Sequence, residues 1–175
     1  LRVLIDWVRD ERGVEIKDNP ARQLRVRGTG DARAPFFTDQ DEKRLIYELS
    51  QMSNKNHLRL TKLALATGFR RSELLSLTCR NIDLNKKLIY IYRKNCAAID
   101  HSSVLKLVPL PEKAQKILEE LNERNGKVIE LSKGAARNEF DKARKKAGLE
   151  TLRFHDLRHI AISRMWSSGM NALEI

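Results

Sequence analysis

The chain has 175 residues, and its 34 Lys and Arg against 23 Asp and Glu leave a net charge of +11, which favours a phosphate-rich partner. Its 41% hydrophobic content with only eight Gly and four Pro suffices to bury one core, which excludes a basic disordered tail. No apolar run approaches the roughly 20 residues that span a bilayer, and Cys79 and Cys96 are the only cysteines, so a reducing, cytoplasmic setting without membrane contact is expected.

Leu1, Leu4, Ile5 and Val8 are spaced for one face of a helix, with Trp7 beside them, and Gly13 stops the pattern. With little nearby to pack against, this segment reads as the last helix of something larger. Arg25 to Pro35 is basic and glycine-rich with no periodicity. It reads as an interdomain linker able to lie along phosphates, or as a plain solvated loop.

Thr38 followed by Asp39 and Asp41 is a helix cap, and Leu45, Ile46 and Leu49 supply the apolar stripe behind it. A second helix is predicted from about His57 to Ala66, closing at Gly68, and a third from near Arg71 with Leu74, Leu75 and Leu77. The period then changes from helical to alternating. Leu88 to Lys94 reads as a strand with Ile89 and Ile91 on one face and Tyr90, Tyr92 and Lys94 on the other. Val104 to Val108 can pair back against it, ending at Pro109 and Pro111. Glu112 to Leu121, roughly Ala135 to Ala147, and a last segment from near His155 to Gly169 read as helices. The fold class is therefore mainly α with a small antiparallel β-sheet, an α+β arrangement.

Two strings carry chemistry. In Phe154-His155-Asp156-Leu157-Arg158-His159, a helical reading sets two imidazoles around a permanent cation on one face, a pattern suited to a phosphodiester. Two blander readings compete: a solvated helix end, or His155 and His159 as zinc ligands. Zinc needs a third ligand, and His57 and His101 sit in no ligand-like spacing, so no metal is expected. In Thr67-Gly68-Phe69-Arg70-Arg71-Ser72-Glu73-Leu74, Gly68 permits a sharp break that sets Arg70 at the start of the next helix.

Taken in order, Thr67-Gly68-x-Arg70-x-x-Glu73-Leu74, then Lys94 at a strand end, then Val108-Pro109-Leu110, then His155-x-x-Arg158-His159 resemble the catalytic domain of the tyrosine recombinases, or phage integrases. The resemblance covers the chain from about Phe36 onward. It implies that residues 1–26 are the last helix and exit of an N-terminal core-binding domain, 27–36 a basic linker and 37–175 the catalytic domain.

By the same resemblance Arg70 and Arg158 are the two arginines that grip the scissile phosphate. Guanidinium suits this through its fixed fork of donors and its permanent charge. His155 is the histidine that assists proton transfer, a task suited to imidazole chemistry near neutral pH. Lys94 is the general acid toward the 5′ oxygen, with Lys106 as a rival; Glu73 orients Arg70 or a neighbour, and His159 is a supporting residue. The family implies no cofactor, with double-stranded DNA as partner and a homo-tetramer on paired sites.

The family's nucleophilic tyrosine lies downstream of the second arginine, and Tyr47, Tyr90 and Tyr92 all precede it. The chain is therefore expected to be a fragment of a site-specific DNA recombinase or integrase of a mobile element, trimmed at both ends and inactive by itself. Two alternatives remain: a DNA-binding regulator that kept the fold without catalysis, and a type IB topoisomerase-like enzyme.

Overall fold

Thr38 starts the first helix as its chemistry requires. Its hydroxyl accepts the Asp41 N–H at 3.1 Å, while the Asp41 carboxylate accepts the Thr38 N–H at 2.8 Å and the Thr38 hydroxyl at 2.7 Å. These Thr38 donors, the backbone one foremost, and the Arg44 guanidinium hold the Asp41 carboxyl down to about 2. The computed structural model describes residues 37–94, 103–121 and 125–170, with the backbone alone at 93, 94, 103 and 104. The apolar segment at Leu1–Val8, the basic stretch Arg25–Pro35, Cys96 and His101 lie outside the described residues.

Among the described residues, six α-helices, a 3-10 turn (Cys79–Asn81) and three short strands belong to one compact unit of residues 34–175. Helix α1 (Asp39–Ser50) buries Leu45 and Leu49 completely. Helix α2 (Asn56–Thr67) is the central element: it buries Leu60, Thr61, Leu63 and Ala64, and each of the other five helices packs against it. Helix α3 (Arg71–Ser76) is a short stub that buries Leu74 and Leu75. Helices α4 (Glu112–Glu119), α5 (Lys133–Lys146) and α6 (Asp156–Ser167) complete the set. Helix α5 begins two residues ahead of the expected start because the Ser132 hydroxyl caps it, accepting the Ala135 N–H at 3.1 Å.

The sheet has the order β1-β2-β3 and is antiparallel throughout. Strands β2 (Leu88–Lys94) and β3 (Ser103–Pro109) pair with Ile89 opposite Val108 and Ile91 opposite Lys106. Ile89 and Ile91 face the core, as the alternation predicts, while Tyr92, Leu105 and Leu107 are exposed on the other face. Strand β1 (Ile82–Asp83) is an addition, since two residues are too short to show a period. Val128 and Ile129 are also fully buried additions. They enter the core because Val128 N–H donates to the Leu77 carbonyl at 3.0 Å and Cys79 N–H to the Gly126 carbonyl at 2.9 Å. No described helix is long and apolar enough to cross a membrane.

His57, in the first turn of α2, is buried, and that burial lowers its pKa below the ordinary 6.5, opposed in part by the Glu139 carboxylate on α5. The folded chain therefore takes up a proton at His57 less readily than the unfolded chain does. Stability from this group is complete above pH 6.5 and is lost progressively as pH falls below it. His57→Gln should reduce the fall in urea midpoint between pH 7.5 and 5.5; an unchanged fall would contradict this origin.

Candidate phosphate-binding site

Helix α2 ends at Gly68, whose φ of +66° is left-handed and whose N–H closes the helix on the Ala64 carbonyl at 2.9 Å. The Thr67 hydroxyl donates to the Leu63 carbonyl at 2.7 Å and accepts the Phe69 N–H at 3.3 Å, while Phe69 anchors the turn in the core. The helix thus ends and, two residues later, delivers Arg70, in extended conformation, as the cap of α3. The Glu73 carboxylate accepts both the Arg70 N–H at 2.8 Å and its guanidinium at 3.1 Å. Glu73 is nearly buried and the Arg70 side chain is 53% exposed, so the carboxylate aims the guanidinium from behind and leaves its outer edge open.

The second half of the site comes from α6, whose start is set by Asp156, the acceptor for the Arg153 N–H at 2.7 Å. Phe154 packs edge-on against Phe140 of α5, with ring centroids 5.1 Å apart, and Leu157 is fully buried. His155 sits at the cap of α6 and not within it, and its ring meets that of His159 edge-on at 5.2 Å. Arg158, one turn in, donates from its guanidinium to the carbonyl of Gly68, 90 residues earlier in the chain. The same close packing shows at Gly68 itself, where an added Cβ would stand 3.6 Å from Ala161 Cβ.

Arg70, His155 and Arg158 therefore line one cleft of about 380 Å³. Glu73 lies behind Arg70, and His159 stands one turn along from His155. Lys94 ends β2 opposite Ser103, and its side chain lies outside the described residues. Lys106 is exposed on β3 and does not line the cleft. Arg71, Arg137, Arg144 and Arg153 also line it. Arg137 and Arg144 share a face of α5 by their i, i+7 spacing, a signal available from sequence, but their approach to Arg70 is a tertiary fact. Among the described residues no three His, Cys, Asp or Glu converge as a metal site.

A larger groove, about 840 Å³, is walled by Ile46, Leu65, Ile117 and Met165. Its cations, Lys43, Lys62, Lys113 and Arg164, sit among the carboxylates of Asp39, Glu42 and Glu112, and Arg164 is engaged by Glu42 and, at 3.3 Å, by Asp39. Chemically the smaller cleft is the one able to hold an oxyanion and to stabilise added negative charge on it.

Gly68→Ala meets no steric clash, so its effect comes from the left-handed backbone, a cost of about 1–2 kcal/mol for an L-residue. A urea titration should show that loss; an unchanged midpoint would mean the turn relaxes freely.

The model of the phage integrase family matches residues 35–175. The shufflon-specific DNA recombinase of Escherichia coli is 30% identical over 165 residues, covering 91% of this chain and 40% of the relative. The integrase of Salmonella phage P22 is 25% identical over 165 residues, covering 84% and 41%. The chain thus spans about two fifths of the length of these curated relatives. Among solved structures, the catalytic domain of bacteriophage HP1 integrase superposes with a TM-score of 0.61 at 23% identity, covering 79% of this chain and 75% of that one. The lambda integrase bound to DNA gives a TM-score of 0.61 at 17% identity, covering 79% and 53%. Both likenesses concern the fold.

Proposed function

The chain belongs to the phage integrase family, and from that premise we propose that it is the phosphate-gripping part of a site-specific DNA strand transferase acting on double-stranded DNA. The observation that carries the proposal is the convergence of Arg70, His155 and Arg158 on one cleft from sequence positions far apart. In this reading the two guanidiniums hold the non-bridging oxygens of the scissile phosphate and stabilise the charge that builds in the pentacoordinate transition state. Glu73 keeps Arg70 in the orientation this demands.

The reaction is an exchange of esters. A tyrosine oxygen attacks phosphorus, the bond to the 5′ oxygen breaks, and a 3′-phosphotyrosyl link forms. Lys94 supplies the proton that the departing 5′ oxygen needs, and His155 assists proton movement at the phosphate. A 5′ hydroxyl from another strand then attacks the phosphotyrosine, restores the diester and frees the tyrosine. Each step replaces one P–O bond by another, so no ATP is consumed, and in this reading the guanidiniums supply the charge stabilisation.

Tyr47, Tyr90 and Tyr92 do not line the cleft: Tyr47 projects from α1 beside Lys43 and Lys146, and Tyr92 stands on the exposed sheet face. The nucleophile in this proposal is a tyrosine of the whole protein outside these three, and the working assembly is a homo-tetramer on paired sites. A residues 1–26 core-binding segment and a 27–36 linker would precede the catalytic unit. A regulator that binds DNA without cutting it is the second reading, favoured by the same placement of the three tyrosines. A full-length gene product that traps no covalent adduct on nicked suicide DNA would support that reading and overturn the first.

In the full-length protein, Arg70→Ala or Arg158→Ala should slow adduct formation by roughly 100-fold to 1000-fold, the scale of losing one transition-state donor. Unchanged rates would refute the clamp. Lys94→Ala should slow cleavage of ordinary DNA and recover when the 5′ bridging oxygen is replaced by sulfur, a leaving group that needs no proton. Recovery seen with Lys106→Ala in its place would transfer the acid role to Lys106.

A further inference from the structure

The cleft holds more positive charge than one phosphodiester can use. Six arginines line it against a single carboxylate, Asp141. Four of the six have an assignable partner. Arg70 is aimed by Glu73, Arg158 donates to the Gly68 carbonyl, and Arg144 contacts Asp141 at 2.7 Å and the Glu150 carbonyl. Arg137 stands 3.9 Å from the same Asp141. Arg71 and Arg153 have no carboxylate within ion-pair distance among the described residues.

The Arg71 side chain is nevertheless held in place. The Arg71 guanidinium lies 5.8 Å from the centroid of the Phe154 ring, and that ring is itself fixed edge-on against Phe140. Arg153 directly precedes Phe154, and its backbone is pinned by the Asp156 carboxylate. An arginine held over an aromatic face keeps its donor edge directed outward without an anion to direct it. Two cations without a carboxylate partner beside a phosphate clamp, one of them held over a ring, imply a second anion.

We infer that Arg71 and Arg153 form a second phosphate subsite, which holds a neighbouring phosphate of the same DNA strand while Arg70 and Arg158 hold the scissile one. The inference rests on the phosphodiester reading above and extends it. Each strand of duplex DNA carries one charge per roughly 3.4 Å of axis, so a strand that seats one phosphate in a cleft of this size brings its neighbours to the rim. The second subsite fixes the strand's direction across the clamp, because two points define a line where one leaves the strand free to pivot. Arg71 and Arg153 are thus positioning residues, and the aromatic pair Phe140–Phe154 is the shelf that sets Arg71.

The chain itself provides the test, since binding requires no nucleophile. A fluorescein-labelled duplex is titrated with the protein between 50 and 200 mM salt, and the log–log salt slope is read from anisotropy. The Arg71→Gln/Arg153→Gln double variant should bind more weakly and lose about 0.9 from the slope, the contribution of one phosphate. Arg71→Lys/Arg153→Lys should retain that slope, which separates lost charge from a disturbed fold. Lys113→Ala, on α4 away from the cleft, is the control and should leave the slope as it is. If the wild-type slope is steep and the glutamine variant matches it, the second subsite is refuted while the clamp stands. If the wild-type response is itself flat, the phosphodiester reading falls and the subsite with it.

Discussion

The hydrogen bond from the Arg158 guanidinium to the Gly68 carbonyl ties together the two halves of the site, which lie 90 residues apart in the chain. That carbonyl is left without a helical partner because a left-handed residue, buried Gly68, ends α2 there. The same turn leads, two residues later, to Arg70 in extended conformation at the start of α3. One backbone turn therefore sets the position of both arginines: one by covalent connection, the other by the hydrogen bond. Helix α2 can carry this demand because each of the other five described helices packs against it. A rigid central helix turns a local turn into a fixed distance between two cations.

Charge within the cleft follows a second rule. Bringing guanidiniums together is unfavourable unless carboxylates sit among them, and Glu73 and Asp141 do so from the protein side. Neither cancels the positive field, since cations outnumber acids at the surface of the cleft. The acids act as guides that choose a direction for each arginine and leave the net attraction to an anion intact. The chain's overall excess of basic residues gives the same sign at long range, but the local arrangement supplies the geometry.

Most helices were legible because their signals are local. Thr38 with Asp41, Gly68, and the leucines at helical spacing each report on neighbours within one or two turns, and the elements stand where those residues predict. The alternation of isoleucine and tyrosine in β2 worked for the same reason. Strand β1 and the buried pair Val128–Ile129 were not legible, since two apolar residues have no period and their burial is settled by pairing with a distant segment. The start of α5 was misplaced because a lone Ser132 ahead of Lys133 and Gly134 offers a weak cap signal.

What the sequence determined by itself is the inventory: the order of helices and strands, the excess of basic charge, and the motif residues Arg70, Glu73, His155 and Arg158 in the succession that resembles the phage integrases. Chain-local chemistry is enough for that, because caps, periods and residue types are properties of neighbours. Only the tertiary structure decided that three of these residues share a cleft, that Glu73 aims Arg70, and that Arg153 and Arg71, the latter over the Phe154 ring, join them. The reason is that such contacts are made by the packing of α3, α5 and α6 around α2, and packing joins residues whose separation in sequence bears no relation to their distance in space.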